Sequence, residues 1–154
     1  LARSTTETLV TQSVLDRLMT VEEWPSTRAQ SLRYFKDALR RDLEWLLNTR
    51  QPPIPELASY PAAKASVINY GLPDITALGL LSASDNATLR RAIEVCLRNF
   101  EPRLMDVRVT LESSDTGERR LRFHIEGNMK LDPAPEEISF DTVLELASGE
   151  YKVK

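Results

Sequence analysis

Apolar residues recur at helical intervals over the first hundred positions and alternate beyond residue 103, so the chain is predicted to pass from helix to strand. From Thr8 to Thr20, Leu9, Val10, Val14, Leu15 and Leu18 fall near one side and predict a modest first helix. Pro25 biases Trp24 towards an extended conformation, and Ser26 or Thr27 is placed to cap the next element. Leu32, Phe35, Leu39, Leu43 and Leu46 then step by three and four residues, predicting a long helix from about Arg28 to Asn48 with a single apolar stripe. Pro52, Pro53, Pro55 and Pro61 exclude regular structure and predict a stiff loop. Ala62 to Tyr70 reads as a short helix ended by Gly71 and Pro73. Ser82 or Ser84 opens another, from about Asn86 to Phe100, with Leu89, Ile93, Leu97 and Phe100 inward and Cys96 beside them.

From Met105 the period falls to two. Met105, Val107, Val109 and Leu111 alternate with Asp106, Arg108, Thr110 and Glu112, and turn-forming residues occupy 113–118. Leu121, Phe123, Ile125, Met129 and Leu131 alternate with Arg120, Arg122, His124, Glu126 and Lys130, which completes a predicted antiparallel hairpin with one wet face. Ile138, Phe140, Thr142, Leu144 and Leu146 share a parity and predict a third strand; Ser148-Gly149 turns the chain into a short fourth, Tyr151 to Val153. The expected fold is α+β: a single domain over 1–154, mainly helical over about 8–101 and mainly antiparallel strands over about 103–154. Its N-terminal helices pack on one face of a small sheet of about four strands. Such a sheet leaves rim strands with free N–H and C=O groups, able to accept a strand from a neighbouring chain.

Composition narrows the chemistry. The 154 residues are 42% apolar and 28% charged, with 20 basic and 23 acidic side chains and a formal charge of −3, which fits an ordinary globular domain. No apolar run approaches the roughly 18 residues of a membrane span, and a pI near 5.3 argues against a nucleic-acid binder. One Cys (Cys96) and one His (His124) leave no internal disulfide and little for a metal, so neither metal nor cofactor is expected. The five glycines match no phosphate-cradling motif.

Candidate reactive groups are few. Asp42, Asp74 and Glu101 stand at helix ends or turns, where acids serve as caps and ion-pair partners or as members of a hydrolytic pair. His124 shares its face with Arg120, Arg122 and Glu126, which favours a cross-strand polar contact over a catalytic base. Cys96, between Ile93 and Leu97, reads as a small buried apolar residue. Arg40, Arg41 and Arg50 are offset by Asp37, Asp42 and Glu44, as on a solvated helix face with i,i+4 pairs, although guanidinium forks also dock protein carboxylates. The most informative tripeptide is Glu101-Pro102-Arg103. Pro102 is expected to extend Glu101, so that Glu101 and Arg103 project to one side where helix meets sheet. The doublet then serves either as a structural ion pair or as a charged contact for another protein.

Four segments in register resemble a known family: Arg41-Asp42-Leu43-Glu44-Trp45-Leu46-Leu47-Asn48-Thr49-Arg50, Asn69-Tyr70-Gly71-Leu72-Pro73-Asp74, Phe100-Glu101-Pro102-Arg103-Leu104 and Phe140-Asp141-Thr142-Val143-Leu144-Glu145-Leu146. Their order and spacing resemble TssE, the type VI secretion baseplate family similar to the small wedge proteins of contractile phage tails. Ser13 to Leu18 extends the resemblance, which covers about residues 13–153. It implies a non-enzymatic structural subunit of the bacterial cytoplasm, in a baseplate docked at the inner-membrane secretion complex. The implied partners are TssF, TssG and TssK in the wedge and the sheath proteins TssB and TssC, whose first ring polymerises on this platform. The family's Glu-Pro-Arg motif falls on Glu101, Pro102 and Arg103 and implies a partner-binding role in coupling baseplate to sheath. The sheath subunits' habit of lending strands gives a purpose to a free sheet rim. Phage relatives carry a lysozyme label, so the alternative is a peptidoglycan-cleaving glycosidase using Glu101 with Asp74. A generic adaptor unrelated to secretion is a third reading.

Overall fold

A computed structural model of the chain describes residues 8–19, 24–74, 83–112 and 120–154. Helix α2 (Arg28–Asn48) has the predicted bounds, and Thr27 caps it by accepting from the Gln30 N–H at 3.2 Å. Phe35, Leu39, Leu43, Leu46 and Leu47 are buried on its inner side, each side chain contributing about 1.5–3 kcal/mol of transfer free energy. Helix α4 (Ala83–Phe100) buries Leu89, Ile93, Cys96 and Leu97 against the same interior. It starts three residues earlier than its pattern predicts, with Ser84 already inside it; Ser82 lies outside the described residues.

The first helix differs from expectation. Helix α1 spans only Val14–Met19, and Val14, Leu15, Leu18 and Met19 are exposed while Asp16 is buried. The stripe read as a core face points outward because an ion pair between Asp16 and Arg41 of α2 turns the polar side in. Of the predicted stripe, Val10 packs against the core. The segment read as one helix over 62–70 is broken into α3 (Pro61–Lys64) and a 3-10 turn, Val67–Asn69. Ser66 makes the break, donating to Ala63 O at 2.7 Å and accepting from Ile68 N at 3.3 Å. A further 3-10 turn, Pro55–Ser59, stiffens the proline-rich loop.

Strands β1 (Leu104–Glu112), β2 (Arg120–Met129), β3 (Glu136–Glu145) and β4 (Glu150–Val153) form one antiparallel sheet in sequential order. Helices cover one face and the other is solvated, as the alternation predicts. Leu121, Phe123, Ile125, Met129, Phe140, Leu144, Tyr151 and Val153 point inward. One parity is displaced. Asp106 adopts φ +54° at a register shift between Met105 and Arg108, so Leu104 and Val109 are both buried and Met105 only partly. The predicted turn over 113–118 lies outside the described residues.

The sheet rims are not bare. Glu94 of α4 accepts from Val109 N on β1 at 3.1 Å, and Glu44 of α2 accepts from Val153 N on β4 at 3.1 Å. At these two positions a rim N–H expected to be free is met by a helix side chain, because α2 and α4 pack close enough for their polar flanks to reach round the edge.

Candidate functional site

Helix α4 runs into the sheet through a tight turn. Glu101 N bonds to Leu97 O at 2.9 Å, the last helical bond, and Leu104 N bonds to Glu101 O at 3.1 Å across Pro102 and Arg103. Proline in second position presets φ for such a turn. The stretch expected to run extended from Glu101 is therefore a turn at Pro102 and Arg103. It still brings Glu101 and Arg103 together, but Glu101 faces inward and is only 4% exposed.

The two charges pair closely. Arg103 Nε donates to Glu101 Oε1 at 2.6 Å, Nη2 to Oε2 at 2.5 Å, and the Arg103 backbone N–H to Oε1 at 3.2 Å. Nη2 also reaches Asp42 Oδ2 on α2 at 2.8 Å. Asp42 Oδ1 accepts from Arg41 Nε and Nη2 at 3.0 and 2.8 Å. Arg41 Nη1 then reaches Asp16 Oδ1 on α1 at 2.7 Å, and Ser13 Oγ donates to Asp16 Oδ2 at 2.5 Å. Charges alternate in sign from Glu101 through Arg103, Asp42 and Arg41 to Asp16, tying α4, α2 and α1 into one network. Arg103 lies 5.8 Å from the Phe35 ring centroid and Arg41 4.9 Å from that of Trp45.

Each partner stabilises its neighbour's charge. Hydrogen bonds to Glu101 raise the Arg103 guanidinium above its ordinary value against the cost of burial, and the charges of Glu101 and Asp42 add to this. Burial pushes the Asp16 carboxyl up, but hydrogen bonds from Arg41 and Ser13 with the Arg41 charge outweigh it and hold Asp16 below the usual carboxylate range. A depressed folded-state value stabilises the fold above the unfolded value of about 3.9 and ceases to do so as pH falls through the folded value. We therefore expect α1 to undock below about pH 4 while α2 and the sheet persist, followed by amide exchange at Arg17, and Asp16→Asn to undock it already at neutral pH.

Other candidates have structural roles. His124 Nδ1 lies 2.7 Å from Asp141 Oδ1 across β2 and β3, the cross-strand contact its parity predicts. Cys96 is buried, its thiol donates to Gly71 O at 3.1 Å, and burial pushes it up to about 12, so no reactive thiolate forms near neutrality. Asp74 is exposed in the loop after Pro73. Arg41 and Glu44 do not make the predicted i,i+4 pairs; they bind α1 and β4. Arg50 likewise donates to Leu47 O at 3.0 Å and Gly149 O at 2.8 Å. Among the described residues, no group of three or more His, Cys, Asp or Glu is placed to hold a metal ion, and no helix is long and apolar enough to cross a membrane. Asp42 was visible in the sequence only as one acid among several. Its place between two arginines depends on how α2 crosses the turn at Pro102, which periodicity does not encode.

Helices on one face of a four-stranded antiparallel sheet, strung together by ion pairs, define a small α+β scaffold. The family model for "Baseplate wedge protein gp25" matches residues 33–134, and the chain belongs to that family. A solved structure described as "The baseplate complex from the type VI secretion system" contains a chain 22% identical to this one; the match covers 75% of this chain and 94% of that chain, with a TM-score of 0.44. No curated protein matches.

Proposed function

We propose that the chain is a non-enzymatic wedge subunit of a type VI secretion baseplate, of the TssE kind, working in the bacterial cytoplasm where the baseplate meets the inner-membrane complex. In this reading it joins TssF, TssG and TssK and presents the platform on which TssB and TssC begin the sheath. Membership of the gp25 wedge family supports it. The observation that carries the site assignment is the division of labour in the tripeptide. Glu101 is the buried brace, Pro102 is exposed at the turn, and the Arg103 side chain keeps 24% of its surface open to a partner. A guanidinium already fixed by two carboxylates loses little side-chain entropy on docking. Glu101 is buried and both its oxygens face Arg103, which leaves little access for a glycosidic oxygen and favours assembly over peptidoglycan cleavage.

The test replaces the doublet without stranding a charge. Glu101→Gln with Arg103→Gln is expected to keep the circular dichroism and cooperative melt of a folded protein. In cells carrying labelled TssB it should abolish sheath assembly. Sheaths at the parental frequency would refute the site, and hydrolysis of purified peptidoglycan by the unaltered protein would refute the wedge reading itself.

A further inference from the structure

Along the network from Glu101 to Asp16, three carboxylates share two guanidinium groups, and the shortage of cations decides how each is placed. Arg103 takes the oxygens of Glu101 one apiece, Nε to Oε1 at 2.6 Å and Nη2 to Oε2 at 2.5 Å. That parallel fork is the arrangement a guanidinium and a carboxylate prefer. Arg41 does not reach it with Asp42. Its Nε and Nη2 both converge on Oδ1, at 3.0 and 2.8 Å, while Oδ2 belongs to Arg103 Nη2 at 2.8 Å.

A second bond keeps Arg41 off the fork. Its Nη1 reaches Asp16 Oδ1 at 2.7 Å. Asp16 is a firm anchor, because Ser13 Oγ donates to its Oδ2 at 2.5 Å and accepts from its N–H at 3.1 Å. The hydrogen bond to Asp16 is the largest cause holding the Arg41 guanidinium above its ordinary value; burial works against it and Asp42 adds to it. Arg41 also lies over the Trp45 ring, 4.9 Å from its centroid, a flat surface along which a guanidinium can shift.

Without the Asp16 charge, two cations face two anions, and the four close into separate pairs. Arg41 forks both oxygens of Asp42, and Arg103 is left with Glu101 alone. Arg103 then keeps its brace but loses the bond that ties its tip to α2.

We propose that Asp16 is a positioning residue for Arg103: by occupying Arg41 it reserves Asp42 Oδ2 for Arg103 and so sets the angle at which that guanidinium is offered to a partner. The purpose of this arrangement rests on the reading of Arg103 as the partner contact. It gives α1, whose apolar side faces outward, a part in shaping a site built on α2 and the turn at Pro102.

The test compares the full chain with Asp16→Asn and with Asp16→Asn/Arg41→Gln. Rotation of the Arg103 guanidinium about its Cζ–Nη bonds is followed by NMR, and docking of α1 by exchange of the Arg17 amide, which bonds to Ser13 O at 3.0 Å. Sheath assembly is scored in cells carrying labelled TssB. In Asp16→Asn the Arg17 amide should exchange fast and Arg103 should rotate at least about tenfold faster, the effect of losing one charge-assisted hydrogen bond. Sheaths should become rare. In the double variant α1 stays undocked, but the competing fork is gone, so Asp42 returns to Arg103. Rotation should slow to the parental rate and sheaths should reappear, a rescue that a merely structural role for α1 would not allow. Unchanged rotation in Asp16→Asn, or rotation that stays fast in the double variant, would overturn the positioning. Sheaths that do not follow the rotation would overturn the docking role of Arg103 and leave the positioning itself established.

Discussion

Arg103→Ala is expected to lower stability by about 3–5 kcal/mol, the usual result of breaking a buried ion pair from one side. The loss comes less from the missing attraction than from what stays behind. Glu101 is almost wholly enclosed, and without the Arg103 side chain its carboxylate keeps, among the described residues, only the backbone N–H at position 103. Asp42 suffers less, because Arg41 still donates to it twice. Against a typical total of 5–15 kcal/mol, the change should bring the melting temperature down by about 10 °C or more. Arg103→Lys keeps a charge but not the fork and should lie between the two. Glu101→Gln/Arg103→Gln should cost less than Arg103→Ala, because no charge is left unpaired. A melting point for Arg103→Ala within 2–3 °C of the parent would show that Glu101 is solvated after all.

This reordering changes how a sheath defect should be interpreted. On the function proposed above, a single change at Arg103 would remove a partner contact and a brace together, so lost assembly in cells would not separate docking from unfolding. The neutral double change separates them.

What the sequence made legible follows the reach of each signal. The bounds of α2 and its cap at Thr27 were readable because cap, stripe and terminus all lie within one local segment. The inward parity of β2 and β3 was readable because alternation is a property of the strand itself. The bulge at Asp106 was not, since one left-handed residue among ordinary strand formers leaves no compositional mark. The inversion of α1 was hidden for a different reason. Its apolar spacing is genuine, but the Asp16–Arg41 pair decides which side faces in, and the two residues stand on different helices. The same holds for the candidate site. Proximity of Glu101 and Arg103 was local and readable, whereas the burial of Glu101 and the addition of Asp42 depend on α2 crossing the turn. The α2 side chains laid against β4 are the extreme case, with Glu44 and Val153 separated by 109 positions.

Gly71→Ala is expected to be the most damaging single methyl in the described chain, at about 3–5 kcal/mol. Gly71 sits at φ +105°, where a side chain costs roughly 1–2 kcal/mol before any contact is counted. A Cβ there would also lie 2.4 Å from Thr49 O and 2.7 Å from Thr49 C, both backbone atoms. Thr49 has no room to yield, because its N–H is tied to Trp45 O and Leu46 O at the end of α2 and its carbonyl accepts from Leu72 N at 2.8 Å. The loop must lift instead. That breaks the Thr49–Leu72 bond and its companion from Gln51 N to Leu72 O, each worth about 1 kcal/mol. It also loosens Leu72, which is fully buried beneath them. Gly149 provides the control: it too has positive φ, +72°, but its nearest neighbour to a new Cβ is the Arg50 guanidinium at 3.7 Å. Gly149→Ala should therefore carry the conformational cost alone, about 1–2 kcal/mol. Denaturant melts of the two variants settle the point. A gap of 2 kcal/mol or more places the difference in the contact with Thr49, and equal losses would mean that the loop does not press against the end of α2.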